Sequence, residues 1–236
     1  MGSGDDLTTQ ALEPLLGERP LQAQPLVLST ASHALEWADT GAPDGAVVVA
    51  ANQIAPRGRA GAPWKLTPDR GLSFALVLRP QLEAEREGFL YTLVLTALAD
   101  VSGPDVAIAW PDEVRSAAGA LLAAADLQIR LGREGVKFAV VTFLLPEAKP
   151  PRGELLLRVV EAVEARLAGP QEVAFEDHRN ICATVGRHVR MKLMGGRARL
   201  EGRSLDLDED GALVVEKASG MRVAVRPQDV SAIDVA

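Results

Sequence analysis

The character of this 236-residue chain changes at Gly169-Pro170, and that change constrains its fold more than any other feature. Upstream, short apolar, β-branched runs at Leu26 to Leu28, Ala46 to Ala50, Leu72 to Leu78, Val106 to Trp110 and Phe138 to Leu145 read as largely buried strands. Helical patterns sit between them, at Ser32 to Ala38 and Glu83 to Ala99. Leu155, Leu156, Val159, Val160, Val163 and Leu167 recur at helical spacing among Glu161, Glu164 and Arg166, which predicts an amphipathic helix laid on the sheet. Pro146, Pro150 and Pro151 break the pattern just before it. Downstream the helical period is lost. Arg187 to Leu193, Ala198 to Leu207, Ala212 to Glu216 and Arg222 to Val225 are short strand-like runs, separated by turns at Gly195-Gly196, Asp208-Glu209-Asp210-Gly211 and Ser219-Gly220. The expectation is an α+β protein with a mixed β-sheet and packed helices over residues 26–183 and a small β-barrel over 184–236. Residues 1–25 form an N-terminal segment, and no internal repeat is visible.

Composition narrows the function classes. A chain 47% hydrophobic and 24% charged can bury one ordinary core with a smaller appendage. A net charge of -7 argues against a nucleic-acid partner, which selects for basic excess. The single cysteine, Cys182, excludes an internal disulfide, fits a reducing compartment and reads as a packed structural thiol. Met1 to Asp6 lacks the layout of a signal peptide, and the apolar stretches Phe89 to Ala99 and Ala117 to Ala125 are too short to span a bilayer. A soluble, cytoplasmic protein without a membrane partner is expected. His33, His178 and His188 lie far apart, and the Asp208 to Gly211 turn lacks the spacing of a calcium loop, so no dedicated metal site is expected. Trp37, Phe89 and Tyr91 read as core. Arg187, Arg190, Lys192, Arg197 and Arg199 form a cationic run that reads as a solvated strand face, with docking of an acidic partner or a phosphate as the alternative.

The stretch that carries chemistry is Gln53-Ile54-Ala55-Pro56-Arg57-Gly58-Arg59-Ala60-Gly61-Ala62-Pro63-Trp64, directly after the apolar run Gly45 to Ala51. Two arginines spaced by one glycine, in a loop that brings backbone N–H groups close to a ligand, suit a phosphate or carboxylate. Alone, the pair reads rather as two solvated residues on a mobile hairpin. Three further segments give it context: Leu26-Val27-Leu28-Ser29-Thr30 upstream, Gly71-Leu72-Ser73-Phe74 downstream, and Ala107-Ile108-Ala109-Trp110-Pro111-Asp112-Glu113 later.

In order and spacing these segments resemble the catalytic domain of biotin protein ligases, of the biotin/lipoate ligase superfamily, with its S-T-N strand end, Q-x-x-G-R-G-R-x-G-x-x-W loop, G-N-L-x-x-S strand and K-W-P-N-D strand end. Val185-Gly186-Arg187-His188-Val189 and Gly202 to Val215 resemble the family's L-G-R-x-V and G-x-x-x-G-I-D-x-x-G-A-L-L-L. The resemblance implies a class II aminoacyl-tRNA synthetase/biotin synthetase-like sheet with a C-terminal SH3-like barrel. It also implies formation of an acyl adenylate from a biotin- or lipoate-like carboxylic acid and ATP with Mg2+, and transfer to a lysine of a biotinyl or lipoyl carrier domain. Residues 1–25 are too few for the winged helix-turn-helix that some of these ligases carry. By matched position, Ser29, Thr30 and Gln53 touch the ring system, while Arg57, Gly58 and Arg59 wrap carboxylate and phosphate. Trp64 packs the adenine side, Asp112 and Glu113 serve magnesium or a ring hydrogen bond, and Gly119 admits the bound acid.

The departures are equally specific. The asparagine of S-T-N is Ala31, the first glycine of G-R-G-R is Pro56, and the lysine of K-W-P-N-D is Ala109. The lysine before L-A-G-I-L falls at Ser116, with Arg115 one residue off and so on the other strand face. The family's asparagine-bearing strand is Val140 to Pro146, without one. Three readings therefore stand: an active ligase, a non-catalytic acid- or carrier-binding protein, and an ATP-independent acyl transferase for which no cysteine occupies a suitable place. The acid, the acceptor and the choice between monomer and homodimer stay open.

Overall fold

The computed structural model describes residues 5–67, 70–148, 151–196 and 198–236. Met1 to Gly4, Pro150 and Arg197, which entered the reading above, lie outside the described residues. The chain begins with helix α1 (Thr9–Leu16), N-capped by Thr8, whose hydroxyl accepts from the Ala11 N–H at 3.3 Å. Then follow β1 (Leu21–Val27), α2 (Thr30–Asp39), β2 (Val47–Gln53) and β3 (Leu72–Leu78). Next come α3 (Phe89–Ser102), β4 (Val106–Ala109), β5 (Glu113–Ser116), β6 (Leu121–Leu131), β7 (Val136–Leu145), α4 (Arg152–Ala168) and α5 (Gln171–Ile181).

The seven strands pair in the order β1-β2-β3-β7-β6-β5-β4. Among the described residues only β1 and β2 run parallel, so the sheet is mixed as expected. All seven residues of β3 are buried because both faces of this central strand are covered. Phe74 and Leu76 face the main core with α3 and α4, whereas Ala75 and Val77 face Ala34 and Ala38 of α2. Helix α3 is buried on every side from Phe89 to Ala99, which explains its nearly continuous apolar sequence.

The C-terminal strands β8 (His188–Leu193), β9 (Arg199–Leu207), β10 (Leu213–Glu216), β11 (Arg222–Val225) and β12 (Val230–Val235) form an antiparallel sheet in the order β11-β10-β9-β8-β12. Among the described residues no ladder joins β11 to β12, so the structure shows a five-stranded sheet rather than a closed barrel. Trp110 anchors this unit to the first. Its ring lies in the C-terminal core, its Nε1 donates to the Gly211 carbonyl at 3.0 Å, and its backbone N–H donates to the Thr184 hydroxyl at 3.0 Å. Gly88 allows the closest backbone approach at this junction, since a Cβ there would sit 2.6 Å from the Asp210 carbonyl oxygen.

Several boundaries differ from expectation. The first strand starts at Leu21, not Leu26, and a helix precedes it. Its Leu21-Gln22-Ala23-Gln24-Pro25 stretch is half polar because β1 is an edge strand, and α1 puts only Leu12 and Leu16 into the core. Residues 84–86 form an isolated 3-10 turn, so α3 begins at Phe89 rather than Glu83. The β5–β6 hairpin, α5 and β12 were not anticipated. The cationic run is a solvated strand face: on β8, Arg190 and Lys192 are exposed while Val189 and Met191 are buried, and Arg190 pairs with Glu201 across the ladder at 3.0 Å.

Candidate ligand site

Helix α2 starts at the C-terminal end of β1, with Ser29 as its N-cap residue. The R-G-R loop leaves the C-terminal end of the adjacent β2, so these two sequence-distant segments meet at one end of the sheet. The loop is a tight, self-bonded hairpin. Arg57 bridges to Pro63, the Gly58 N–H donates to the Ala62 carbonyl at 2.9 Å, and Arg57 Nη1 donates to the Gly61 carbonyl at 2.9 Å. Gly58 lies against the Trp64 indole, because a Cβ there would sit 2.1 Å from Nε1.

The two arginines have different situations. Arg57 is exposed, whereas Arg59 is only 8% exposed. Arg59 Nη1 donates to the carbonyls of Pro227 at 2.6 Å and Val230 at 3.2 Å, both in the C-terminal unit. Its Nε lies 3.1 Å from an Asp112 carboxylate oxygen, and its guanidinium carbon stands 5.0 Å from the Tyr91 ring centroid. Nη2 is buried without a hydrogen-bond partner among the described residues.

Arg59 lies between two cavities and lines both. The smaller, of about 340 Å³, is lined by Ser29, Arg57, Gly58, Tyr91 and Asp126, with Met194, Gln228 and Val230 of the C-terminal unit closing one side. The larger, of about 780 Å³, is lined by Trp64, Ala109, Asp112, Glu113, Arg115 and Ala124, with Ser231 to Val235 opposite. Burial dominates the electrostatics here. It pushes the Asp112 carboxyl up to about 6, with Arg59 pulling it back and neighbouring Glu113 raising it further. Burial also raises the Tyr91 phenol to about 12 and raises the Asp126 carboxyl, both partly offset by Arg59.

The structure thus brings Ser29, Arg57, Gly58 and Arg59 to one cavity and Trp64, Asp112 and Glu113 to the other, joined through Arg59. Thr30 and Gln53 line neither. Gln53 Oε1 accepts from the Thr30 N–H at 2.9 Å and the Thr30 hydroxyl at 3.2 Å, while Gln53 Nε2 donates to the Ser73 carbonyl at 3.2 Å. That amide is spent on fixing the start of α2. Gly119 is exposed at the tip of the β5–β6 hairpin, where its carbonyl accepts from Arg115 Nη1 at 2.7 Å, away from both cavities. The small residue of this hairpin that does face a cavity is Ala124. Asp112 and Glu113 do not make a joint metal site: Asp112 turns to Arg59, and Glu113 pairs with Arg115 at 2.6 Å. Among the described residues no cluster of three or more His, Cys, Asp or Glu could hold a metal ion.

Sequence reasoning missed Tyr91 and Asp126. Tyr91 sits within an apolar helix and resembles any core aromatic. Asp126 did carry a signal, as the one charged residue in the run Leu121 to Leu127.

Residues 184–231 match the family described as the biotin protein ligase C terminal domain. The chain resembles biotin protein ligases. Over 241 aligned residues it is 28% identical to the biotin--[acetyl-CoA-carboxylase] ligase of Mycobacterium tuberculosis, covering 91% of this chain and 89% of that protein. It is 23% identical to the bifunctional ligase/repressor BirA of Bacillus subtilis, over 82% of this chain and 68% of the relative. Its fold matches that of the biotin protein ligase from Aquifex aeolicus solved in complex with biotin and ATP, with TM-score 0.68, 19% identity and coverage of 92% and 99%. A biotin protein ligase-like protein of unknown function from Silicibacter matches with TM-score 0.64 and 16% identity, covering 89% and 95%. No helix among the described residues is long and apolar enough to cross a membrane.

Proposed function

We propose that this protein binds a biotin-like carboxylic acid in the smaller cavity and an adenylate group in the larger one, and joins the two using ATP. The observation that carries this reading is the place of Arg59, buried between two cavities of unequal size that together hold the R-G-R loop, the start of α2 and Trp64. In the reaction, a carboxylate oxygen attacks the α-phosphorus and pyrophosphate leaves. A carrier lysine amine then attacks the acyl carbon and AMP leaves. Arg57, exposed at the rim, meets the incoming negative charge. Arg59, already held by fixed backbone carbonyls, needs no reorganisation as charge accumulates at the junction. The start of α2 adds a partial positive charge beside Ser29. The Mycobacterium tuberculosis relative, a biotin--[acetyl-CoA-carboxylase] ligase, supports the same reading.

A second reading, binding without turnover, rests on one observation: among the described residues no lysine lines the smaller cavity, and Arg59 is engaged by Asp112 and two carbonyls. Acid-dependent exchange of labelled pyrophosphate into ATP separates the two. Biotin-dependent exchange establishes adenylation. Saturable biotin or biotinyl-adenylate binding without exchange establishes the binding role, and absence of both refutes the site.

A further inference from the structure

Among the described residues three cations line the larger cavity: Arg59, Lys65 and Arg115. Two of them are already engaged. Arg115 Nη2 pairs with Glu113 at 2.6 Å while its Nη1 donates to the Gly119 carbonyl at 2.7 Å, and Arg59 is held by Asp112 and the Pro227 and Val230 carbonyls. The Lys65 ammonium makes no ion pair and no hydrogen bond among the described residues. The cavity's carboxylates are directed elsewhere: Asp112 faces Arg59, Glu113 faces Arg115, and Asp234 stands opposite Arg190 in the β8–β12 register. The backbone that leads into Lys65 is fixed, since Arg57 bridges to Pro63 and the Trp64 N–H donates to the Pro56 carbonyl at 3.0 Å. Arg59 and Lys65 also differ in depth. Arg59 is buried at the junction with the smaller cavity and keeps its Nη2 without a partner, whereas Lys65 is exposed and so stands at the solvent side. A cavity with a spare buried donor at one end and an uncommitted ammonium at the other suits an extended polyanion.

Resting on the two-cavity reading, we propose that Lys65 binds the phosphates beyond the α-phosphate of the nucleotide, a role that no motif in the sequence assigns to it. Displacement at phosphorus runs roughly in line, with the attacking and leaving oxygens on opposite sides. The acid attacks from the smaller cavity, past Arg59, so the pyrophosphate leaves into the larger one, toward its solvent side. There the ammonium meets it. As the bond from the α-phosphorus to the bridging oxygen breaks, its electron pair stays on the pyrophosphate, and Lys65 offsets that charge while keeping its own proton. The cavity therefore distinguishes a nucleoside triphosphate from a monophosphate through one exposed cation, a distinction that Arg59, at the other end, does not make.

The test is calorimetric titration of the full chain with ATP, AMP and biotinyl-adenylate, in wild type, Lys65→Met and Lys65→Arg. Position 65 is exposed, so all three proteins should melt at the same temperature. Lys65→Met keeps the apolar stem and loses the charge. It should bind ATP at least tenfold more weakly while binding AMP and biotinyl-adenylate within twofold of wild type, and Lys65→Arg should restore most of the ATP affinity. Salt supplies an independent readout. Because an exposed charge is screened, raising the ionic strength should erase the wild-type preference for ATP over AMP, and Lys65→Met should have little preference left to erase. If biotinyl-adenylate binds but wild type shows no preference for ATP over AMP, or the preference survives in Lys65→Met, this proposal is overturned and the two-cavity reading stands. Binding of none of the three ligands to wild type overturns both.

Discussion

The Trp64 indole occupies the space that a side chain on Gly58 would need, with Nε1 only 2.1 Å from the position of a Cβ. The glycine between the two arginines therefore seats the tryptophan, and the tryptophan holds the loop closed. Its backbone is not in the left-handed region (φ -113°), so packing alone demands glycine here.

Gly58→Ala should therefore displace Trp64 and open the loop. Overpacking of this kind costs about 1–3 kcal/mol. Expected outcomes are a lower denaturation midpoint and loss of adenylate binding, with an emission shift that is absent when the same change is made in a Trp64→Phe background. An unchanged emission spectrum would show that the indole is not seated on this glycine.

Arg57 and Arg59 should separate cleanly, although they lie two residues apart. Removing Arg59 leaves the half-buried Asp112 without its cation and two carbonyls without a donor, and breaking a fully buried pair costs about 3–5 kcal/mol, which sets the upper bound here. Arg59→Ala should accordingly lower stability in urea denaturation. Arg57→Ala, at an exposed position, should leave stability unchanged while weakening biotinyl-adenylate binding by roughly 1.5–3 kcal/mol, the worth of a hydrogen bond to a charged group. Equal stability losses in both variants would contradict the structure.

How much of this was legible in the sequence depended on whether the signal was local. The strand Leu72–Leu78 matched expectation to the residue, because a strand buried on both faces is apolar throughout and ends where polarity returns. Edge strand β1 and terminal strand β12 were blurred or missed, since one partnered side demands few apolar residues. The pairing of Gly58 with Trp64 was visible only as spacing, and the burial of Arg59 was not visible at all: its partners Pro227 and Val230 are about 170 residues away. Gly119 was misplaced for a related reason. Its motif match ignored the β5–β6 turn, which the small residues Ala117 to Ala120 make and which carries the glycine out to solvent.

His178 and Asp112 should give opposing acid responses. His178 is fully enclosed, its Nδ1 3.4 Å from the Thr92 carbonyl oxygen, and burial pushes its imidazole from 6.5 down to about 4. Between those values the unfolded chain binds a proton that the folded chain does not, so stability falls as pH drops, by about 3 kcal/mol in full. Asp112 runs the other way. Its folded carboxyl, up from 3.8 to about 6, keeps a proton that the unfolded chain has released, so its contribution is present at low pH and lost as pH rises toward 6. These two contributions nearly cancel in wild type. His178→Gln should become more stable as pH falls from 6 to 4, and Asp112→Asn less stable over the same range. Parallel pH profiles for both variants would refute the assignment.

Catalysis offers the sharpest test, and the structure changes where to apply it. Two cations expected beside the reacting carboxylate are replaced by Ala109 and Ser116. Only Ala109 lines the larger cavity with Arg59 and Asp112. Ser116 stands at the base of the exposed hairpin tip, its hydroxyl accepting from the Ala120 N–H at 3.2 Å, and lines neither cavity. A lysine at position 116 would therefore reach solvent, while one at position 109 would enter the site. Loss of one preorganised charge donor costs about 2.7–4 kcal/mol of barrier, so wild-type pyrophosphate exchange is expected to be slow. Ala109→Lys should raise biotin-dependent exchange at least tenfold, and Ser116→Lys should leave it at the wild-type rate. A rise with Ser116→Lys alone would mean that the hairpin folds over the ligand in a way its present position does not show, and the cavity assignment would have to be redrawn around it.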